Sequence, residues 1–147
     1  MTAASAEPLV LPPVGRLPVL VGHRRVTAAD GNALTQPERI ALADVTAEVR
    51  RRSGAARIVA RDLLVRLGGP SADLVRVRQR PPRWPAGFVG SLAHDDQVAV
   101  AAVGRAEQVA ALGIDVEPAE PLPPGLTDVI ATPSERRRYA RSVLEGR

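Results

Sequence analysis

The sequence predicts an α+β domain in which two N-terminal helices pack on a small antiparallel sheet and a C-terminal helix follows. Apolar residues recur at helical spacing between residues 35 and 67, whereas shorter β-prone runs fill residues 74 to 117. A further helix-start signal appears at Thr132. Helices and strands that occur in separate blocks are typical of α+β architecture, with the helices on one face of the sheet.

Two helices are predicted before the sheet. Thr35 precedes Glu38 by three residues, and this capping-box pattern predicts a helix that ends near Arg52. The pair Ser53–Gly54 is expected to interrupt the helical pattern. A second helix is predicted within the run AARIVARDLLVRLGG, where the glycines from Gly68 onward are candidates for its C-terminal cap.

Several short segments have the pattern of strands. The run LVRVRQR alternates valine with arginine over residues 74–80. The runs FVGSLAH and QVAVAAVG are predicted to form a hairpin that turns at Asp95 and Asp96, and AALGIDVEP is predicted to supply a further strand. A short strand is also expected around LPVLVG, within an otherwise irregular N-terminal segment.

The chain of 147 residues provides one domain and a short part of a second. We expect an irregular segment at 1–34, the main domain at 35–118, and a linker with the start of a further unit at 119–147. That last segment contains a capping pattern formed by Thr132 and Glu135. The sequence has no cysteine, no apolar run of membrane-spanning length and no signal-peptide pattern, so we expect a cytoplasmic protein without disulfides.

Positive charge is concentrated in one part of the chain and comes only from arginine. All 20 basic residues are arginines, and ten of them lie between Arg50 and Arg83 against two aspartates. Such a segment is either a solvated basic face or a site for an anionic partner. Nucleic acid is a weak alternative, because only Trp84 accompanies these arginines as an aromatic residue. The sequence has no glycine-rich phosphate loop, which argues against a nucleotide triphosphatase.

Two carboxylates, Asp115 and Glu117, are separated by a single valine in the run GIDVE. On a strand they would share one face, where solvent, arginines or a divalent cation would relieve their repulsion. The residues alone leave open whether this is a metal site or the wet face of an edge strand. His94 is similarly ambiguous, because it ends a β-prone run and could be a surface residue or a ligand.

The order and spacing of these motifs resemble the 4'-phosphopantetheinyl transferases, of the type that serves siderophore and nonribosomal-peptide synthesis. The resemblance covers about Thr35 to Tyr139 and rests on the runs RIVARDLLVRLG, PPRWPAGFVGSLAH, GIDVE and TPSE. The middle run is the most specific, with its proline-tryptophan-proline loop, its Gly-Ser and the histidine three residues later. The family is built from two similar halves, so the resemblance implies the first half of a pseudo-twofold fold and the start of the second.

By this resemblance, the expected reaction is the transfer of 4'-phosphopantetheine from coenzyme A to a serine of an acyl or peptidyl carrier protein. The resemblance implies that magnesium is required and that adenosine 3',5'-bisphosphate is released. It assigns Asp115 and Glu117 as magnesium ligands. Glu135, at the start of the last helix, is a further candidate for the catalytic acids.

The resemblance also assigns residues to coenzyme A. It implies that His94 contacts the 3'-phosphate and that Arg57 occupies the position of a helix arginine that reaches the nucleotide. Arg80 lies where the family has a basic residue before its proline loop. Arg61 is a further candidate, because it lies four residues from Arg57 on the same helical face.

The sequence departs from the family at two places. The family carries a Trp-x-x-Lys-Glu motif in its second half, but the present sequence has no lysine and its one tryptophan is Trp84. Ala93 stands where relatives usually have a hydroxyl residue. We therefore expect a transferase that is either a truncated copy or one that needs a second chain to complete its site, and we expect self-association at an exposed strand edge. The alternative is a remnant that binds coenzyme A or a carrier protein without catalysing transfer.

Overall fold

A computed structural model of the protein describes residues 9–10, 18–77, 80–123 and 125–144. The chain divides into two compact units, residues 1–117 and residues 118–147. The first unit contains a sheet and two α-helices, which confirms the predicted α+β class. Among the described residues, no helix has the length and apolar character needed to cross a membrane.

The sheet has four strands: β1 (Leu9–Val10), β2 (Val19–Arg25), β3 (Phe88–His94) and β4 (Val98–Arg105). Their order is β1-β2-β4-β3, and all neighbours are antiparallel. The predicted hairpin is confirmed by the antiparallel pairing of β3 with β4. At its turn, Asp95 Oδ1 accepts hydrogen bonds from the backbone N–H groups of residues 97 and 98, both at 2.7 Å. The short strand expected around LPVLVG is present as β2, which extends to Arg25 and lies inside the sheet.

Two helices precede the hairpin, but their boundaries differ from the prediction. Helix α1 (Gln36–Ala41) is short, and α2 (Ala47–Arg66) runs without interruption through Ser53 and Gly54. Thr46 starts α2 by accepting a hydrogen bond from the N–H of residue 49 at 3.3 Å. The predicted break at Ser53–Gly54 is therefore wrong, and the actual break lies before Thr46.

Gly54 serves close packing rather than helix termination. A Cβ atom at this position would lie 2.0 Å from the backbone oxygen of Asp30, in the short 3-10 helix Asp30–Ala33. Only a glycine lets the two backbones approach to this distance. The residue therefore fixes α2 against the segment that follows β2.

The core lies between α2 and the sheet. The side chains of Val59, Leu63 and Leu64 on α2 pack against Ala101 and Val103 on β4, and all five are fully buried. Every residue of β4 from Ala99 to Gly104 is buried, which identifies β4 as the central strand of the unit. Apolar burial of this kind supplies most of the stabilisation of a small domain.

Two predicted strands are absent from the described residues. The segment predicted at 74–80 has only an isolated bridge between Arg76 and Pro82, with residues 78–79 outside the described part of the chain. The backbone of Leu74 instead bonds to side chains, which leaves it unavailable for a ladder. The segment predicted around GIDVE carries no strand assignment either.

The second unit contains two helices, α3 (Leu126–Ile130) and α4 (Pro133–Leu144). The predicted cap at the start of α4 is confirmed, because Glu135 Oε2 accepts hydrogen bonds from the backbone N–H of Thr132 at 2.8 Å and from its hydroxyl at 2.7 Å. An ion pair between Arg136 and Asp128 joins the two helices.

Candidate functional site

A cavity of about 560 Å³ opens between α2, β3 and the loop that follows Leu74. Volumes of about 300–1,000 Å³ are typical of small-molecule sites. The polar part of its wall contains Ser53 and Ser91 together with the charged or titratable residues Arg57, Arg76, Arg80, His94 and Asp115. The apolar part contains Leu42, Val45, Val49, Ala56, Leu92 and Leu112. A ligand with an anionic and an apolar part would match this division.

Arg57 presents a fixed positive charge to the cavity. It is 4% exposed, and its guanidinium donates hydrogen bonds to the carbonyl oxygens of Leu74, at 3.0 Å from Nε, and of Ser53, at 3.1 Å from Nη1. Its Nη2 has no hydrogen-bond partner among the described residues. Burial lowers the pKa of Arg57, and the nearby Glu38 carboxylate opposes that shift. Arginine nevertheless remains protonated near neutral pH.

Behind Arg57 lies a buried carboxylate, Glu38, which is 0% exposed. Its oxygens accept hydrogen bonds from Arg61 Nη1 at 2.9 Å, from the Leu74 N–H at 2.7 Å and from the Thr35 N–H at 2.9 Å. Arg57 Nε lies 3.5 Å from Glu38 Oε1. We call Glu38, Arg57, Arg61 and Leu74 the Glu38 cluster. It connects α1, α2 and the loop that enters the cavity.

Sequence reasoning found Glu38 only as a capping residue. The predicted capping box is present at the start of α1, where Glu38 accepts a hydrogen bond from the Thr35 N–H at 2.9 Å. The larger role of Glu38 depends on Arg61 and Leu74, which lie 23 and 36 residues further along the chain. No local signal in the sequence indicates these contacts.

Arg61 does not line the cavity. Besides its bond to Glu38, its Nη2 donates to the carbonyl oxygen of Ala33 at 2.6 Å. Arg57 and Arg61 do lie on one helical face, as predicted, but both point into the Glu38 cluster and only Arg57 also reaches the cavity. The geometry thus gives Arg61 a structural role, and its role in ligand binding remains a prediction.

His94 lies on the cavity wall at the end of β3, where it is half-buried. Burial lowers its pKa, and the positive charges of Arg52 and Arg57 lower it further, while the backbone hydrogen bond of His94 itself and the carboxylate of Asp95 oppose the shift. His94 is therefore neutral at pH 7, and it can take up a proton when an anion binds beside it.

The loop after Leu74 brings two more arginines to the cavity. Arg80 is on its wall, as the sequence predicts for a ligand-binding residue, and so is Arg76. Sequence analysis treated Arg76 only as a member of an alternating strand. The one signal in the sequence that includes Arg76 is the basic segment from Arg50 to Arg83.

The two acids of GIDVE occupy different positions with respect to the cavity. Asp115 lines it and Glu117 does not. We call residues 113–117 the acid segment. Exposure alternates along it, with Ile114 and Val116 half-buried and both acids exposed, so the carboxylates share the outer side although no strand forms. Within the described part of the chain, no three His, Asp or Glu side chains form a group that could hold a metal ion alone.

Glu135 belongs to the second unit. Its carboxylate caps α4, and the hydrogen bonds from Thr132 lower its pKa. A role for Glu135 among the catalytic acids remains a prediction.

Trp84 braces the cavity wall. Its ring lies against Gly90 of β3, where an added Cβ would come within 2.5 Å of the indole. Trp84 also packs against the core cluster formed by α2 and β4. The proline-tryptophan-proline loop therefore supports β3 next to the residues that face the cavity.

The comparisons with known proteins show which family the first unit is similar to. Residues 36–104 match the family described as 4'-phosphopantetheinyl transferase N-terminal domain. This segment runs from the start of α1 almost to the end of β4, and it includes Arg57, Arg80 and His94. Residues 36–104 thus match the N-terminal domain of this family, and the match confirms the resemblance predicted from the sequence.

Three curated relatives are each named 4'-phosphopantetheinyl transferase. The chain is 46% identical over 84 residues to the 4'-phosphopantetheinyl transferase Svp of Streptomyces mobaraensis, covering 57% of this chain and 34% of the relative. It is 41% identical to PptT of Mycobacterium tuberculosis over 87 residues, with coverage of 59% and 38%. It is also 41% identical to Npt of Nocardia iowensis over 90 residues, with coverage of 60% and 40%. The matches thus span less than half of each relative's length.

Proposed function

We propose that this chain takes part in the transfer of 4'-phosphopantetheine from coenzyme A to a serine of an acyl or peptidyl carrier protein. The observation that carries the proposal is the cavity, in which Arg57, Arg76, Arg80, His94 and Asp115 converge. Four of these five residues lie within the segment that matches the family. From the family resemblance we also propose that the protein acts in the cytoplasm and serves siderophore or nonribosomal-peptide synthesis.

The reaction requires a site for several phosphate groups. The serine hydroxyl of the carrier attacks the phosphorus that bears the pantetheine arm, the bond to the neighbouring phosphate oxygen breaks, and adenosine 3',5'-bisphosphate leaves. Guanidinium groups bind phosphate oxygens in pairs and neutralise their charge. Arg57 has the best-defined orientation, because two carbonyl oxygens hold one side of its guanidinium. We assign Arg57, Arg76 and Arg80 to the phosphates of coenzyme A.

We assign His94 to a terminal phosphate, such as the 3'-phosphate. A neutral imidazole donates one hydrogen bond, and it becomes a cation when a phosphate dianion offers it a partner. The lowered pKa of His94 means that this proton is taken up on binding rather than before it.

The donors of the acid segment suit a magnesium ion. Asp115 and Glu117 supply carboxylate oxygens, and magnesium in phosphate-transfer sites is commonly held by one or two carboxylates together with substrate phosphates and water. When bound, the ion would neutralise the pyrophosphate and the charge that develops on the leaving group. Glu135 remains a candidate for a further acid.

The direct test is mass spectrometry of a purified carrier protein incubated with coenzyme A, magnesium and this chain. We expect the serine of the carrier to gain the phosphopantetheine mass, and we expect Asp115→Asn to abolish the gain. Glu107→Ala, an exposed acid in the turn after β4, is the matched control. Transfer at an equal rate by Asp115→Asn would exclude the assigned metal role, and the absence of transfer by the unaltered chain would exclude competence of this chain alone.

A second candidate function is a remnant that binds coenzyme A or a carrier protein without transferring the arm. The observation that favours it is that only one of the two proposed metal ligands, Asp115, lines the cavity, whereas Glu117 does not. Calorimetry separates the two functions. Binding of coenzyme A that depends on Asp115 and magnesium, in a chain that never modifies a carrier, would favour the remnant. Absence of any binding would exclude it.

A further inference from the structure

The acid segment is joined to the sheet by a single hydrogen bond among those between described residues. The N–H of Ile114 donates to Ser91 Oγ at 3.2 Å. The other hydrogen bond of this segment is internal, from the Val116 N–H to Asp115 Oδ1 at 2.9 Å. The backbone bonds of this region do not reach from residues 113–117 to any strand. A segment with so few bonds depends strongly on each of them for its position.

Ser91 is well placed to act as the anchor. It lies in the middle of β3, where it pairs with Ala102 of the buried strand β4. Strand β3 is at the end of the strand order and therefore has one neighbour only. The Ile114 N–H bonds to the side-chain hydroxyl of Ser91 instead of to a backbone carbonyl of β3. Both Ser91 and Asp115 line the cavity, so this bond connects two parts of the same wall.

We propose that Ser91 is a positioning residue that holds the acid segment, and with it Asp115, against the cavity. The effect of Ser91 on metal binding rests on the proposed function, whereas its effect on the position of the acid segment does not. Without the bond, the segment samples more conformations, and the fraction with Asp115 at the cavity falls. An affinity that depends on one conformation is reduced in proportion to the fraction of molecules that adopt it.

A competing explanation is that the Ser91 hydroxyl contacts the substrate directly. The two explanations differ in the magnesium dependence of binding. A positioning role affects the part of coenzyme A binding that requires the metal, because it acts through Asp115. A direct contact affects binding equally with and without the metal.

The test uses Ser91→Ala, which removes the acceptor, and Ser91→Thr, which keeps a hydroxyl and is well tolerated in a strand. Ser71→Ala, at an exposed loop position, controls for the loss of a serine. The first measurement is amide hydrogen exchange of Ile114 in the full chain without ligand, followed by NMR. We expect Ser91→Ala to accelerate this exchange about threefold to tenfold, as the loss of one hydrogen bond implies. Ser91→Thr and Ser71→Ala should exchange like the unaltered protein.

The second measurement is calorimetric titration of magnesium in the presence of coenzyme A. We expect Ser91→Ala to raise the half-saturating magnesium concentration about threefold to tenfold. Its affinity for coenzyme A in EDTA should not change. Ser91→Thr should restore the magnesium response.

Two results would overturn the positioning role. One is unchanged Ile114 exchange in Ser91→Ala. The other is an equal loss of coenzyme A affinity with and without magnesium, which would identify a direct contact. If magnesium has no effect on the unaltered chain, the proposed function fails instead, and the exchange measurement alone decides whether Ser91 holds the segment.

Discussion

Replacement of Glu38 by alanine is expected to lower the free energy of unfolding by more than about 3 kcal/mol. Removing one partner of a buried ion pair costs about 3–5 kcal/mol, because the other charge stays buried without compensation. The substitution would leave two buried guanidiniums without their carboxylate partner. They are Arg61, whose side chain is 15% exposed, and Arg57, whose side chain is 5% exposed. The Leu74 N–H would also lose its acceptor, at a cost of about 1–3 kcal/mol. The costs of the unpaired arginines and of the Leu74 N–H overlap and do not add, so about 3 kcal/mol is the minimum loss.

The assay is urea unfolding followed by far-ultraviolet circular dichroism, with linear extrapolation to water. A loss of about 3 kcal/mol is a large part of the total stability of a small domain and corresponds to a decrease in Tm of about 10 °C or more. Glu107→Ala is the matched control, since substitutions at exposed sites usually change stability by less than about 0.5 kcal/mol.

A double variant tests whether the cost comes from the cluster. Arg61→Met removes one of the two cations that Glu38 neutralises. The combined Glu38→Ala and Arg61→Met change should therefore cost less than the sum of the two single changes, by about 0.5–3 kcal/mol. The reasoning is refuted if Glu38→Ala lies within about 1 kcal/mol of the unaltered protein, or if the two changes are additive.

Three further predictions concern packing, protonation and charge. Gly54→Ala should destabilise the protein by about 1–3 kcal/mol, because the added Cβ would meet the Asp30 carbonyl and this clash outweighs the better helix propensity of alanine. Urea unfolding measures the change, and equal or greater stability of the variant would contradict the observed packing. Affinity for adenosine 3',5'-bisphosphate should rise as the pH falls from 8 to 6, because binding adds a proton to His94. Calorimetry in buffers of different ionisation enthalpy should detect this uptake, which His94→Gln should remove. Because the pKa of His94 is lower in the folded protein than in the unfolded chain, the unfolded chain takes up the proton at the higher pH, near about 6.5. The contribution of His94 to folding stability is therefore present above this pH and is lost as the pH falls below it. Arg76→Ala should weaken coenzyme A binding about tenfold or more by calorimetry, whereas Arg66→Ala, which breaks an exposed pair with Asp62, should leave it unchanged; equal effects would remove the assignment of Arg76.

The parts of the fold that depend on local chemistry were predictable from the sequence. The cap at Thr132 and the turn at Asp95 involve side chains and backbone groups within three residues of each other, so the residue types alone specify them. The runs on either side of the turn are apolar and β-prone, which favours their pairing. The fold class followed from the order of these elements.

The parts that depend on distant contacts were not predictable. Gly54 reads as a helix breaker in isolation, and only the approach of Asp30 explains why a glycine is needed inside α2. The alternating run after Leu74 reads as a strand, but Glu38 and Arg57 take the backbone groups that a strand would use. In both cases a tertiary contact overrides the local pattern.

The candidate site follows the same division. The sequence indicated Arg57, Arg80, His94 and Asp115 through the family resemblance, and all four line one cavity. The helical spacing did not distinguish Arg57 from Arg61, because both lie on one helical face. Their difference arises from Glu38 and the Ala33 carbonyl, which take up the guanidinium of Arg61. Helical spacing places side chains on a face but does not say what lies opposite.

The packing of Trp84 on Gly90 gives the protein a built-in optical probe. Trp84 is the only tryptophan of the chain, so its fluorescence reports on a single location. That location is next to Gly90 of β3, a residue that also lines the cavity. Changes in emission wavelength or quenching on addition of a nucleotide would therefore reveal occupancy of the cavity without any label, and the signal would need no deconvolution.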